Sequence, residues 1–254
     1  MFKNRNSQNI HCNHCAVKTL CVARDLNPIE TDDINNQITK IKVADKGNHI
    51  FHAKDLQQNL YAVHTGSCKD YWLDEDGSER INNFYLPGDI IGLESIPNDK
   101  HLYSLIALEN TELCVIPITA LFDLMHQHSN ILKRVMNIAG YKMQNDQSIR
   151  ITTNVNQRIA DFILNTYYRL QERSNSKDFI SLPMSQLEIS NYLGMAHETV
   201  NRVLRKFHKE KIITIKVKRI YITDIDRLKE LGTTLLSIGQ GETHVEKIPE
   251  EECQ

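Results

Sequence analysis

Gln186-Leu187-Glu188-Ile189-Ser190-Asn191-Tyr192-Leu193-Gly194-Met195-Ala196-His197-Glu198-Thr199-Val200-Asn201-Arg202-Val203 is the most specific pattern in the chain. Ile189, Leu193, Met195, Val200 and Val203 are the apolar positions that two helices joined by a tight turn must bury between them. Ser190 is small where such helices cross, and Gly194 stands where the turn needs a positive φ. Ser185, with Glu188 three residues on, makes a capping box at the first helix. The spacing predicts a helix-turn-helix. An αα-hairpin that binds nothing explains the apolar spacing but not the charge. From His197 to Arg219 there are eight Lys or Arg and two acids, Glu198 and Glu210; eight minus two is +6, in a chain of formal net charge −2. That concentration is an electrostatic footprint for phosphates. The strand-like runs Ile212–Ile215 and Ile220–Thr223 flank Lys216-Val217-Lys218-Arg219, a basic wing, so the module reads as a winged helix.

Helix geometry sorts the expected contacts. The first turn of the second helix enters the major groove and presents His197, Glu198, Asn201 and Arg202. Glu198 accepts from a cytosine amino group and Arg202 pairs in bidentate fashion with guanine. The alternative for Glu198 is a partner to the helix dipole. Arg205, Lys206 and Lys209, further along, and Lys216 and Lys218 on the wing, are expected on phosphates.

Working outward, 254 residues make one large domain or two modest ones, and 41% hydrophobic with 24% charged residues is ordinary for a soluble globular chain. Lys and Arg number 30 against 32 Asp and Glu, which excludes a polybasic protein. No run approaches ~18 consecutive apolar residues, and Met1 to Asn9 lack the apolar core of a secretory signal, so a cytoplasmic protein without membrane contact is expected. In that compartment the six cysteines read as ligands or redox groups rather than as disulfides.

The chain divides into five parts, and the expected fold class is α+β. Residues 1–25 are polar, hold Cys12, Cys15 and Cys21, and offer no apolar core of their own, so they need a partner surface or a bound ion to be ordered. Residues 26–118 read as short strands cut by Lys46-Gly47-Asn48, His64-Thr65-Gly66-Ser67, Asp74-Glu75-Asp76-Gly77 and Leu86-Pro87-Gly88-Asp89, an antiparallel barrel or roll after a lead-in helix near Thr31 to Ile41. Residues 119–150 change period to one long helix. Leu121, Met125, Leu132, Met136, Ala139 and Met143 form one stripe, and Ile131, Val135 and Ile138 form another beside it. One side is expected to cover the roll and the other to pair with a second copy, with Ile131, Val135, Ile138 and Met143 as the dimer contacts; one broad core face in a monomer is the alternative. Residues 151–231 hold the winged helix, its first helix capped by Asn154, and 232–254 read as a frayed acidic tail.

Cys12-x2-Cys15-x5-Cys21 in a segment without a core argues for a metal centre, either zinc or an iron–sulfur cluster, with thiol redox chemistry as the further reading. The fourth ligand is to be sought among Cys114, Cys68, Cys253, His11 and His14. His49, His52 and His64 read as surface or structural.

A cysteine-rich start, a roll, a long helix and a winged helix carrying Glu198-Thr199-Val200-Asn201-Arg202 together resemble the CRP/FNR family of bacterial transcription factors, and within it the oxygen-sensing FNR branch, over residues 10–231. The specific pieces are Cys12-x2-Cys15-x5-Cys21 with Cys114, Phe84-x-Leu86-Pro87-Gly88-Asp89-x2-Gly92, and Asn191-Tyr192-Leu193-Gly194-x3-Glu198-Thr199-x2-Arg202. The resemblance implies a roll of the cyclic-nucleotide-binding jelly-roll type and a [4Fe–4S] cluster on Cys12, Cys15, Cys21 and Cys114. It also implies a homodimer through 119–150, base reading by Glu198 and Arg202 on a palindromic operator with TTGAT-like half-sites, and contact with RNA polymerase. One departure bears on the half-site: Asn201 stands where FNR-like proteins carry Ser, and Asn is a bidentate adenine reader.

The family's cyclic-nucleotide branch needs a Glu after the roll glycine and an Arg-Ser pair for the cyclic phosphate. Here Asp89 follows Gly88, and Tyr103-Ser104-Leu105 stands where the Arg belongs. A buried phosphate left unpaired is costly, so cyclic AMP is not expected as effector. Two rivals remain at the level of sequence: a zinc-stabilised regulator sensing a small ligand in the roll, and an iron–sulfur redox protein. No Gly-rich phosphate loop and no Ser/His/Asp constellation supports an enzyme.

Overall fold

The computed structural model describes residues 11–37, 40–151, 154–171, 179–216 and 219–232. The start of the chain, Lys218 and the acidic tail with Cys253 lie outside them.

After a single turn of 3₁₀-helix at Cys12–His14, helix α1 spans Pro28–Gln37. Asn27 starts it with a reciprocal cap: its Oδ1 accepts from the Glu30 N–H at 2.9 Å while Glu30 Oε2 accepts from the Asn27 N–H at 3.0 Å. The segment ahead of α1 departs from expectation, because Val17, Val22 and Ala23 are buried, and Val22 and Ala23 join a core with Leu26, Ile34, Leu60, Ile116 and Leu121. Short turns, not a regular helix, bring these residues to one side, so no periodicity announces them in the sequence.

The roll follows: β1 (Lys40–Ala44), β2 (His49–Phe51), β3 (Asn59–Thr65), β4 (Cys68–Leu73), β5 (Glu79–Tyr85), β6 (Ile90–Ile91), β7 (Ser104–Ala107) and β8 (Thr111–Pro117). They form two four-stranded antiparallel sheets, ordered β1-β8-β3-β6 and β2-β7-β4-β5. Three of the turn signals of the sequence fall between strands, and the fourth, His64-Thr65-Gly66-Ser67, begins inside the last residues of β3. Ile50, Phe51, Val63, Leu105 and Leu113 fill the space between the sheets, as alternating strand positions facing one interior must.

The single long helix expected over 119–150 is two, α2 (Ile118–Gln127) and α3 (Ser129–Ile151). His128 is extended between them, with φ −129 and ψ 105, and its Nε2 meets Asp33 Oδ2 of α1 at 2.9 Å. The break therefore fastens α1 to the helix pair. The two stripes of α3 differ in exposure within the chain. Ile131 is completely buried against Val22, Ala23, Ile34 and Leu124 of its own chain, and Val135 and Ile138 pack on the same cluster. Leu132, Met136 and Met143 stay 45%, 63% and 64% exposed. Of the four expected dimer contacts, only Met143 lies on the open face.

The last unit comprises α4 (Val155–Gln171), β9 (Ile180–Ser181), α5 (Gln186–Tyr192), α6 (His197–Lys209), β10 (Ile213–Lys216), β11 (Arg219–Ile222) and α7 (Ile225–Leu231), with a small sheet ordered β10-β11-β9. Asn154 caps α4 through its Oδ1, which accepts from the Asn156 N–H at 3.0 Å. Ile159, Ile163, Leu193, Val200, Val203 and Phe207 form the core. Ile81 and Phe84 of β5 belong to the same cluster, so the roll and the winged helix share apolar packing. Polar contacts back it. Asn191 donates to the Glu79 carbonyl at 2.6 Å and accepts from the Ile81 N–H at 2.8 Å, pairing with the edge strand β5 as a strand would. Lys69 bridges to Glu188 at 3.0 Å, and Arg169 holds Asp89 and the Phe84 carbonyl.

Candidate DNA-reading face and thiol cluster

The helix-turn-helix is built as its sequence predicts. Ser185 accepts from the Glu188 N–H at 3.2 Å and Glu188 Oε2 accepts from the Ser185 N–H at 2.7 Å, a complete capping box at α5. Gly194 turns the chain with φ +62, which a β-carbon would disfavour. Ile189, Ser190, Leu193, Val200 and Val203 are buried, while Met195 is half-buried at the edge of the cluster.

Burying Val200, Val203, Leu204 and Phe207 dictates what α6 shows to solvent. Glu198, Arg202, Arg205, Lys206 and Lys209 are exposed together on the outer side. His197 and Asn201 are half-buried, and Asn201 Nδ2 lies 3.1 Å from His197 Nε2. The Asn201 amide nitrogen thus lies against its neighbour one turn back. Lys216 is exposed at the end of β10, its ammonium 5.5 Å from the Tyr221 ring centre, and Arg219 stacks on Phe179 at 4.7 Å. Gln186, Asn201, Arg205, His208 and Ile215 line a shallow groove beside α6. Gln186 and His208 were not legible as groove residues, because only folding brings the start of α5 against the end of α6.

The second site lies where the N-terminal segment meets the roll and α1. Cys12 begins the 3₁₀ turn, and its N–H donates to Asn35 Oδ1 of α1 at 2.7 Å. Cys21 and Cys12 border the core under α2 and α3, and Cys114, on β8 opposite Ile41 and Ala62, borders it from the roll. Burial pushes the Cys114 thiol up to about 12, and Cys21, Cys12 and Cys15, in that order, add to the shift as neighbouring negative charges when ionised. The Cys21 thiol is pushed up to about 11, again by burial first, and Cys12 is raised for the same reason. Cys12 and Cys21 from the start of the chain and Cys114 from the last strand of the roll thus border one apolar cluster. Cys15 Sγ also lies 3.6 Å from His64 Nδ1, a contact between residues 49 apart that the sequence did not suggest. Cys68 is excluded from this group, being fully buried in the separate core between the sheets. His11 and His14 are exposed.

The donor set suits a thiophilic metal group: all sulfur, half-buried at the rim of an apolar core, and drawn from two parts of the chain. Among the described residues no three His, Cys, Asp or Glu side chains stand ready around one point to hold a metal ion.

Residues 157–231 match the Crp-like helix-turn-helix domain, and residues 41–128 match the cyclic nucleotide-binding domain. The chain is 35% identical over 226 residues to the fumarate and nitrate reduction regulatory protein of Yersinia pestis, covering 88% of this chain and 90% of that one. The chain belongs to the CRP/FNR family. It is 35% identical over 236 residues to the anaerobic regulatory protein of Pasteurella multocida, covering 91% and 86% of the two chains. Among solved structures it is similar to FixK2 from Bradyrhizobium japonicum, with a TM-score of 0.68 and 24% identity over 76% of this chain and 97% of that one. As a CRP/FNR protein it is a DNA-binding transcription regulator and not an enzyme. Among the described residues no helix is long and apolar enough to cross a membrane.

Proposed function

We propose that this CRP/FNR protein is a cytoplasmic, oxygen-responsive regulator that binds DNA as a homodimer, with Cys12, Cys15, Cys21 and Cys114 holding a [4Fe–4S] cluster in the absence of oxygen. One observation carries the reading: Cys114, from the last strand of the roll, borders the same apolar cluster as Cys12 and Cys21, about a hundred residues earlier. The names of the relatives in Yersinia pestis and Pasteurella multocida support an anaerobic role.

When bound, the cluster supplies an oxygen-labile tie between the N-terminal thiolates and Cys114. The chain does the rest. Val22 and Ala23 seat the segment in the core that also holds Ile131 of α3, so the order of the segment and the placement of α3 are coupled by shared packing. Leu132, Met136 and Met143 offer a second copy an apolar stripe, and pairing through it sets two α6 helices about one DNA turn, roughly 34 Å, apart. Glu198 and Arg202 read base edges of a palindrome with TTGAT-like half-sites. Asn201, engaged with His197, modifies that readout, while Arg205, Lys206, Lys209, Lys216 and Lys218 hold phosphates. Splitting the dimer removes half the contacts, so a few kcal/mol in dimerisation switch operator occupancy. Contact with RNA polymerase follows from the family role. Cyclic AMP is not the effector, since Asp89 is committed to Arg169 and the Leu86 N–H, and Tyr103 stands at the position of the phosphate-binding Arg.

The test is iron and acid-labile sulfide per chain in protein purified without air, for the natural chain and for Cys114→Ser. About four of each in the natural chain and none in the variant supports the assignment. One zinc per colourless chain contradicts it and leaves a zinc-stabilised regulator.

A further inference from the structure

Arg134 lies on α3 between Ile131, completely buried, and Met136, 63% exposed. Its Nε donates to the Cys21 carbonyl at 3.1 Å and its Nη2 donates to the Leu20 carbonyl at 3.1 Å. The guanidinium thus grips the two consecutive carbonyls around the third cysteine, from a residue 113 positions later. A planar fork fixes both directions at once, which an ammonium cannot do. The guanidinium is half-buried on α3, and these two carbonyls are acceptors it keeps only while the segment is in place.

The other side of the same segment is held rigidly. Leu20 sits so close to Gly88 of the Leu86-Pro87-Gly88-Asp89 turn that a β-carbon there would lie 2.5 Å from Leu20 Cβ. At the far end of the thiol segment, Asn35 holds the Cys12 N–H. Leu20 is therefore clamped between a turn of the roll and a side chain of α3. If the segment moves, Arg134 is left half-buried without acceptors, and α3 must turn or shift to hydrate it.

We infer that Arg134 is the positioning residue through which order in the thiol segment is passed to α3 and its exposed stripe. The inference rests on the proposed reading that the cysteines hold an oxygen-labile group and that α3 pairs two copies. It adds that the signal crosses at one side chain rather than through the apolar core alone.

The experiment compares the full-length natural chain with Arg134→Met, which keeps the stem, and Arg134→Lys, which keeps the charge. Hydrogen exchange of the backbone at residues 15–24 is followed in iron-free, reduced protein, and the dimer dissociation constant is measured by sedimentation before and after exposure to air. The expected result is exchange at 15–24 about tenfold faster in Arg134→Met, of the size that losing these hydrogen bonds implies, with residues 155–231 unchanged. Its dimer constant should differ by less than about threefold between the two conditions, where the natural chain shifts by more than about tenfold. Arg134→Lys should fall between the two, and it carries the test if Arg134→Met does not fold. Natural exchange at 15–24 in both variants overturns the inference, as does an air-induced dimer shift of natural size in Arg134→Met. If the natural chain carries no iron and its dimer ignores air, the proposed function fails; the exchange of iron-free protein then still decides whether Arg134 orders the segment.

Discussion

Arg202 and Lys206 are both exposed on α6, yet they are asked to do different work. Arg202, near the helix start, is the proposed reader of base edges. Arg202→Ala should lower discrimination at one base pair by about 1–3 kcal/mol, read as fluorescence anisotropy against a panel of single-base operator variants. Lys206→Ala should weaken all sequences alike and reduce the salt slope by about one. An unchanged base preference in the first variant would remove Arg202 from the readout. Inside the roll, Asp70 is fully buried, with Oδ2 accepting from Tyr85 Oη at 2.8 Å and from Asn82 Nδ2 at 3.1 Å. Burial pushes its carboxyl up to about 7, against the opposing pull of Lys142, which bridges to Glu94 at 2.7 Å. A carboxyl raised in the fold binds its proton more tightly than in the unfolded chain. Its contribution to stability is therefore present below about pH 4 and is lost as pH rises through about 7. Asp70→Asn should flatten the dependence of the denaturation midpoint on pH between about 4 and 7, and an unaltered slope would contradict this. The cysteine ladder and the Glu-Thr-Val-Asn-Arg run were legible in the sequence because their partners are spaced along one segment. Arg134 and His64 were not, since each meets its partner only after the chain has folded back.

At the scale of elements, periodicity showed that α3 has two apolar faces but not which of them its own chain would cover. That depended on Val22, Ala23 and Leu26, apolar residues in a segment without a period of its own. With Ile131 completely buried and Met136 63% exposed, the two positions should respond oppositely. Ile131→Ala removes buried methyl groups and should cost about 2–5 kcal/mol in denaturant unfolding. Met136→Glu should leave the monomer's stability within about 0.5 kcal/mol, as surface changes do, and weaken the dimer in sedimentation. A dimer indifferent to Met136→Glu would place the interface elsewhere. The break at His128 was also hidden, because the residue carries no breaker signal and its ring is drawn out of line by Asp33.

At the scale of the molecule, the roll, the helix pair and the winged helix were readable because each has its own period or turn chemistry. How they join was not. Asn191 reads as a polar position of a DNA-binding helix, but its amide instead completes the edge of β5, while Phe84 and Tyr192 pack edge to face at 5.2 Å across the same junction. The reading head is thus fixed to the roll at one end, and the thiol segment is fixed to α3 at the other. By the proposed function, the state of the four cysteines reaches α6 through this frame. A labelled palindromic operator is titrated with protein kept free of air, and air is then admitted to the same sample while its visible absorbance is followed. A band near roughly 400 nm should fade and operator affinity should fall at least about tenfold in step with it. Affinity that persists after the band has gone, or a colourless protein that binds equally with and without air, would contradict the proposed function.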